Sequence, residues 1–518
     1  MRRFLLLLTL SSTLEMHANA FSLRTTSMIG RYEPNASTSE SASTSSTSLN
    51  AKKEICILGG GFGGLNAALT LSSLPWPNDD EKPTITLVDK KERFTFLPLL
   101  YELCVGDATL DEVAPTYTSL LKGTGIEFCQ ADVQGIDLDS DAVYLNPIGS
   151  GGQSSDTTTT QTTNKMDYDS LIVATGADIN LKAIPGAEEF ALPFYTLDNC
   201  LELRKRLTLL DALIEDNDFS QSDTIEVVVV GGGYSGVELA LNIQERLQVG
   251  KGSGGGDQNQ NQTNKKVKIK MIHRGEEVLQ YATEFNRKTG VERLEKAGVE
   301  IITGTSVVEV SALEIDDKED AMRGLNGRCQ VTVENIDTKG AQTFNADILL
   351  WTAGAMATNT QQGILNSKLP RDASGRIVTG KYLRAKDCDN VFALGDCARV
   401  KQVPYGATAA VAMQQAPVAA WNVYATLTND TNMNTDPELL PFTYLNLGEM
   451  MTLGGQDATI SSMGLVEVNG TAASVLRRLI YAVRMPTAQQ ALTAALSSSG
   501  KRIEVLSKNQ RKKNVNWQ

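Results

Sequence analysis

A chain of 518 residues with 41% hydrophobic content can bury several cores, and roughly 150 residues per domain divides it into two or three. Its formal net charge of -13 argues against a general nucleic-acid binder. Seven cysteines without a C-x-x-C pair or metal-like cluster, and only two histidines, His17 and His273, argue against a dithiol relay, a Ser-His-Asp triad or a metal site.

The N-terminus opens with Met1-Arg2-Arg3, continues through an apolar run over residues 4–10 and reaches Ala18-Asn19-Ala20 just before Phe21. This is the layout of a secretory signal peptide, and the run is too short to span a bilayer. Residues 21–50 are rich in Ser and Thr, with Arg24 and Arg31 and few acids, which is the composition of a transit peptide. The two segments together, with Phe21 after the A-x-A site, resemble the bipartite presequence of algae with complex plastids. That resemblance implies a plastid destination, with simple secretion as the alternative. The absence of an evident disulfide framework favours the plastid.

Residues 54–58 form an apolar strand that runs straight into Gly59-Gly60-Gly61-Phe62-Gly63-Gly64, in which Gly59, Gly61 and Gly64 stand at G-x-G-x-x-G spacing. The spacing predicts a nucleotide diphosphate site. Gly59 permits the tight turn, Gly61 lets the backbone approach a pyrophosphate, and Gly64 lets the helix pack closely on the strand. A helix is expected over residues 65–74, stopped by Pro75-Trp76-Pro77. A second strand over residues 84–89 ends at Asp89, whose carboxylate can accept hydrogen bonds from ribose hydroxyls. The glycines alone would also fit an ordinary strand-to-helix turn; strand, helix and terminal acid together favour the nucleotide site. Residues 93–102 are an apolar stretch, residues 146–164 a solvated Gly, Ser and Thr loop, and residues 168–177 a buried strand ending in Ala174-Thr175-Gly176.

A second strand-to-glycine motif follows, residues 225–230 leading into Gly231-Gly232-Gly233-Tyr234-Ser235-Gly236-Val237-Glu238, and predicts a second dinucleotide site. A helix over residues 237–248 ends at Gly250, a low-complexity loop runs to Asn264, and residues 268–274 form the next strand. An acid at that strand's end would bind the 2′-OH of NADH and repel the 2′-phosphate of NADPH. His273 and Arg274 stand there instead, so NADPH is expected to be accepted; a solvated Arg at a strand end is the plainer alternative. Residues 348–355 give another strand with the turn Thr352-Ala353-Gly354, and residues 390–397 an apolar strand ending in Gly395-Asp396.

Two nucleotide motifs, each followed by a strand ending in Ala-Thr-Gly or Thr-Ala-Gly, and then a strand ending in Gly-Asp, resemble the two-dinucleotide-binding flavoproteins. The resemblance implies an α/β fold of two Rossmann-like domains, the second inserted within the first, with Asp396 holding ribitol and phosphate hydroxyls of FAD. Residues 403–416 then start a helix whose small first-turn residues, around Ala409, would let a flavin ring approach its N-terminus. The helix dipole there favours an anionic reduced flavin by about 1 kcal/mol. Gln414 and Gln415 are polar choices on this apolar helix, either a solvated edge or ligand-facing amides.

With these motifs the chain is similar to the type II NAD(P)H:quinone oxidoreductases, and most of all to their plastid demethylphylloquinone reductase branch, over residues 53–496. The carriers are the first glycine motif, Phe96 with Pro98-Leu99-Leu100-Tyr101-Glu102, residues 231–238, Trp351-Thr352-Ala353-Gly354, Leu394-Gly395-Asp396, residues 409–415 and residues 446–454. The motifs and the resemblance together assign Gly59, Gly61, Phe62, Gly63, Gly64, Asp89, Lys90, Pro98, Ala174, Thr175, Gly176, Asp396 and Ala409 to non-covalent FAD. They assign Gly231, Gly233, Tyr234, Ser235, Gly236, Arg274 and Gly354 to NADPH or NADH. The resemblance further implies two-electron reduction of a membrane prenylquinone, of plastoquinone or demethylphylloquinone type, without proton pumping, on a thylakoid or plastid lipid body. Glu238 would lie near flavin and nicotinamide as a proton relay, and Gln414 would border the quinone pocket. Ala410 stands where many relatives carry Gln. A flavin reductase with a protein or disulfide acceptor, and a non-catalytic flavin redox sensor, remain the alternatives.

From residue 471 onward, nine basic residues face the single acid Glu504, a local balance of +8. At 100° per residue Ala472, Val475, Leu476, Leu479, Ile480, Ala482 and Val483 share one arc, and Arg477, Arg478, Tyr481 and Arg484 the opposite one. A basic amphipathic helix of this kind is expected to lie on an anionic membrane; packing on the catalytic domains or at a homodimer interface is the alternative. The expected organisation is a presequence over 1–50, an FAD domain over 51–198 and 351–430, an inserted NAD(P)H domain over 199–350, and a membrane-facing segment over 431–518.

Overall fold

The computed structural model describes residues 52–77, 82–148, 164–215, 224–249, 266–313, 328–357, 368–403, 405–429 and 437–487. The presequence, most of the Ser/Thr loop before residue 164, the low-complexity loop before residue 266 and the basic tail after residue 487 lie outside them.

In chain order the first half is β1 (Glu54–Leu58), α1 (Phe62–Ser73), β2 (Thr84–Asp89), α2 (Leu100–Val105), β3 (Ile126–Asp137), β4 (Ala142–Pro147), β5 (Asn164–Asp167), β6 (Ser170–Val173), β7 (Ala191–Pro193) and α3 (Leu197–Glu215). The second half continues with β8 (Thr224–Val230), α4 (Tyr234–Val249), β9 (Lys266–Ile272), α5 (Glu284–Lys296), β10 (Glu300–Ile302), β11 (Ile348–Trp351), β12 (Val391–Ala393) and α6 (Ala409–Thr428). It closes with β13 (Glu449–Thr452), β14 (Ala458–Ser462), β15 (Val466–Asn469) and α7 (Gly470–Val483).

Two sheets organise these elements. The first has the order β12-β6-β1-β2-β3-β4-β5, parallel from β12 to β3 and antiparallel beyond. The second, β10-β9-β8-β11-β7, is parallel throughout. Parallel strands covered on both faces need continuous apolar runs, which is why Ile55, Cys56, Ile57 and Leu58 are buried in succession, as are Val227 to Val230. The return of β12 beside β6, after the whole second sheet has been completed, makes the first domain discontinuous, as the order of motifs implied. β7 lies on the edge of the second sheet, upstream of the expected start at residue 199. Three residues, one of them Pro193, carry no strand periodicity from which it could be read.

Each sheet is cut off level at one end. Leu58 pairs with Val88 and Val173, and Val173 with Ala393, so Gly59, Ala174 and Leu394 leave the sheet side by side, next to Asp89 at the last position of β2. Val230 pairs with Ile272 and Trp351, which does the same for Gly231, His273 and Thr352. Open parallel sheets bind ligands in the crevice beyond such carboxyl ends.

The C-terminal strands β13, β14 and β15 form a separate antiparallel sheet, and α7 covers it through Ala473, Leu476 and Ile480. Arg477 and Tyr481, expected on the solvated arc, instead turn inward and are buried, while Leu479 and Val483 are 45% and 54% exposed. The reason is a buried partner for the guanidinium, Glu102 of α2. Among the described residues no helix is long and apolar enough to cross a membrane.

The turn after β1 is tightly packed: a Cβ on Gly64 would lie 1.8 Å from the carbonyl oxygen of Gly59. A Cβ on Gly61 would meet nothing within 4 Å. Gly64→Ala is therefore expected to lower stability by about 3 kcal/mol or more, whereas Gly61→Ala should stay within about 0.5 kcal/mol of the parent, as read by thermal unfolding of the two variants side by side.

Candidate functional site

The first crevice is built on backbone groups that the turn leaves available. Gly59 has φ +96, and its amide hydrogen-bonds the Val88 carbonyl at 2.8 Å. Gly61 caps α1 without a side-chain hydrogen bond, and the first turn of α1 carries no acid, so its N–H groups are free to meet phosphate. The Gly60 N–H donates to one Asp89 oxygen at 2.6 Å and the Lys91 N–H to the other at 2.8 Å, so Asp89 pins the turn as well as facing the ribose position.

A cleft of about 320 Å³ runs along these groups. Gly59, Gly61, Phe62, Gly63, Asp89, Lys90, Ala174, Thr175, Gly176, Asp396 and Ala409 all line it, together with Tyr195 and Ala412. Gly64 lies beneath the turn, and Pro98 stands apart, its carbonyl accepting from Arg477 at 3.3 Å. Burial raises the Asp396 carboxyl above its ordinary value, and the Tyr195 hydroxyl, donating to it at 3.1 Å, opposes that rise. The N-terminus of α6 enters the cleft at Ala409, capped by Thr408, which accepts from the Val411 N–H. Open space over Gly61, uncapped N–H groups and the half-buried Asp396 carboxylate fit the pyrophosphate and ribitol of FAD.

The second crevice repeats this plan. Gly231 has φ +117, a Cβ on Gly233 would meet nothing within 4 Å, and a Cβ on Gly236 would lie 1.8 Å from the Gly231 oxygen. Tyr234 and Ser235 open α4, and the Thr352 N–H bonds the Val230 carbonyl at 2.9 Å ahead of Gly354. His273 occupies the place that Asp89 holds in the first crevice, and its Nδ1 accepts from the Gly232 N–H at 3.1 Å. Burial lowers the His273 pKa from its ordinary value, which keeps the ring neutral and its remaining proton on Nε2. Arg274 follows, exposed at the rim.

A buried polar cluster separates the two crevices from the C-terminal sheet. Glu238, on α4, accepts from the Thr452 N–H of β13 at 2.8 Å. Burial raises its pKa to about 7, against the opposing pull of Arg477 and the Thr452 N–H. Tyr101 hydrogen-bonds both Glu238 and Ser235. Nearby, Tyr234 donates to Glu449 at 2.5 Å, and the Thr283 N–H donates to the same oxygen at 2.9 Å.

The two glutamines of α6 are both engaged within the protein. The Gln414 amide donates to the Leu445 carbonyl and accepts from the Leu445 N–H, each at 3.0 Å, which ties α6 to the segment before β13. Gln415 is buried and accepts from the Gly395 N–H at 2.7 Å, which holds the turn carrying Asp396. Sequence reasoning also missed the pairing of Glu102 with Arg477. Its signal was an acid in the otherwise apolar run Leu100-Tyr101-Glu102-Leu103, since a buried charge needs a partner.

The pattern of the family "Pyridine nucleotide-disulphide oxidoreductase" matches residues 53–420. The chain is 34% identical over 451 residues to the demethylphylloquinone reductase NdbB of Synechocystis sp., covering 86% of this chain and 96% of that protein. It is also 34% identical over 467 residues to the alternative NAD(P)H-ubiquinone oxidoreductase C1, chloroplastic/mitochondrial, of Arabidopsis thaliana, covering 86% and 80% of the two chains. Among solved structures, NDH2 from Plasmodium falciparum in complex with NADH superposes with a TM-score of 0.68 at 17% identity, over 87% of this chain and 98% of that one, a likeness of fold. Two sheets with parallel, ligand-facing strand ends, one interrupted by the other, thus agree with the sequence relatives: the chain belongs to the pyridine nucleotide-disulphide oxidoreductase family and, within it, to the type II NAD(P)H:quinone oxidoreductases.

Proposed function

We propose that this protein transfers two electrons from NAD(P)H to a membrane prenylquinone of plastoquinone or demethylphylloquinone type, without proton pumping. The overall reaction, NAD(P)H + H⁺ + quinone giving NAD(P)⁺ + quinol, consumes one proton. FAD, which Gly61, the first turn of α1 and Asp396 would hold in the first crevice, would supply the two-electron redox chemistry between nicotinamide and quinone. The observation that carries this reading is the place of Glu238, on the helix that opens the second crevice and next to Tyr101, with a pKa of about 7.

The chain's own residues divide the work. Gly61 and the first turn of α1 take the pyrophosphate, Asp396 the ribitol side, and the α6 N-terminus favours negative charge in the cleft by about 1 kcal/mol. Glu238 keeps its proton up to about neutral pH and releases it toward the quinone side. Gln414 acts as a positioning residue through Leu445. His273 and Arg274, at the strand end where an acid would exclude NADPH, support its acceptance: the His273 ring is neutral, and Arg274 offers a cation to a 2′-phosphate.

A plastid membrane location belongs to the same proposal. It is supported by the presequence composition, by a cyanobacterial relative and one named chloroplastic/mitochondrial, and by the exposed Leu479, Val483, Met463 and Leu465 near the C-terminal sheet. The strongly basic stretch after residue 500 would add attraction to anionic lipid.

Three measurements test these assignments. Anaerobic NADPH should bleach the visible flavin absorption of the purified protein, and a short-chain prenylquinone should restore it. Glu238→Gln is expected to slow the restoration about 100-fold while leaving the bleaching much less affected, and the parent rate should fall as pH rises above about 7, where Glu238 loses its proton. Restoration by a disulfide but not by quinone would overturn the acceptor. Removing the rim cation in Arg274→Ala should lower kcat/KM for NADPH about tenfold or more with little change for NADH; equal loss for both coenzymes would remove the phosphate contact. Leu479→Lys with Val483→Lys should cut co-sedimentation with anionic lipid vesicles at least about tenfold at unchanged flavin content.

A further inference from the structure

Arg477 is among the largest wholly buried side chains, only 1% exposed, and it reaches the site from a helix of the C-terminal unit. Its guanidinium pairs with Glu102, donates to the Pro98 carbonyl at 3.3 Å and stacks over the Tyr481 ring at 5.1 Å. Tyr481 meets Phe96 edge-on at 5.5 Å, and Phe96 meets Phe62 at 5.4 Å, a ring that lines the FAD cleft. Side chains packed in this way connect α7 to the wall of the first crevice.

The charges around Glu238 come from every element that packs on it. From α2 come Glu102 and the Tyr101 hydroxyl, from α7 Arg477 and Tyr481, from α4 itself Tyr234, and from β13 the Thr452 N–H, with Glu449 beyond Tyr234. Two buried carboxyls therefore share one buried cation. Burial works against the Arg477 charge, and the neighbouring Glu102, Tyr481 and Glu238 outweigh it, so the guanidinium stays protonated. Its direct partner is Glu102, while Glu238 is satisfied by a backbone N–H and a tyrosine.

We infer that Arg477 is a positioning residue for proton transfer: by binding Glu102 it takes that carboxylate's charge and leaves Glu238 as the carboxyl of the pair that exchanges a proton. This deepens, and rests on, the reading of Glu238 as the proton-bearing group. Arg477 does not touch the reacting atoms; it sets which of two acids is the donor. The C-terminal unit thereby becomes part of the reaction site.

The two partners act on Glu238 with opposite sign, which gives a test that loss of packing cannot imitate. Infrared difference spectra of the flavin-loaded full chain, titrated with pH, should show a protonated-carboxyl band that disappears in Glu238→Gln. In Arg477→Gln the band should persist to higher pH by about one unit or more, because a stabilising cation is gone; in Glu102→Gln it should vanish at lower pH by a similar amount, because Arg477 then faces Glu238 alone. Arg477→Lys, which keeps the charge, should titrate near the parent. The double variant Arg477→Gln with Glu102→Gln removes the cation and its partner acid together and should return towards the parent; it covers the case in which Arg477→Gln alone loses flavin. Shifts that are absent, or of one sign in both single variants, would overturn the inference. If the band moves as stated but the rate of flavin restoration by quinone does not follow it, the relay role of Glu238 fails and the placement by Arg477 stands.

Discussion

The contact of Gly64 with the Gly59 carbonyl oxygen, repeated by Gly236 on Gly231, is closer than any side chain would allow, and the rest of both crevices follows from it. Pressing the helix onto the turn brings its first N–H groups to the end of the sheet, where no intrahelical acceptor exists for them. A capping side chain would consume those donors. The turn instead offers Gly61 and Gly233, at which nothing stands within 4 Å of a Cβ position. The donor that would remain inconveniently buried, on the middle glycine, is taken by the neighbouring strand: Gly60 by Asp89, Gly232 by His273. Each crevice is thus a set of backbone donors, of which the first two glycines' are committed to the neighbouring strand and those of the helix's first turn are left for a ligand.

His273 shows how one residue change alters the chemistry of a shared plan. A carboxylate accepts the turn's N–H and still has lone pairs and a negative charge to offer a ribose. A neutral imidazole accepts through one nitrogen only and presents a donor on the other. The His273 ring also hydrogen-bonds the Glu277 backbone. The first crevice therefore stays suited to hydroxyls, and the second loses the charge that would repel a phosphate. Geometry is conserved between the two halves of this one chain while electrostatics diverge.

What could be read from the sequence was what is decided locally. The strand over residues 84–89, the glycine spacing, the lining positions of Asp89 and Asp396 and the return of the chain through residues 391–393 all depend on neighbours within a few residues, or on motif order. The misread features are those decided by distant partners. β7 exists only because β11 lies beside it. Gln414 could be read from the sequence only as a solvated edge or a ligand-facing amide, because its partner, the Leu445 backbone, lies 31 residues on. Arg477 was placed outward by helical periodicity, which ranks faces by polarity and has no knowledge of Glu102, 375 residues away.

The direction of Arg477 also changes what the amphipathicity of α7 means. A helix that buried its apolar arc would hide the residues able to meet lipid; this one spends Ala473, Leu476 and Ile480 on the C-terminal sheet, Arg477 and Tyr481 on the site, and leaves Leu479 and Val483 outward. Burying an ion pair is a poor way to gain stability, since desolvation of both charges offsets most of their attraction, and well-packed apolar residues would serve as well. Breaking the pair is costly, because it strands a charge in the interior. The Arg477–Glu102 contact is therefore better understood as fixing orientation: it admits one rotation of α7 about its axis, and that rotation decides which side chains face away from the protein.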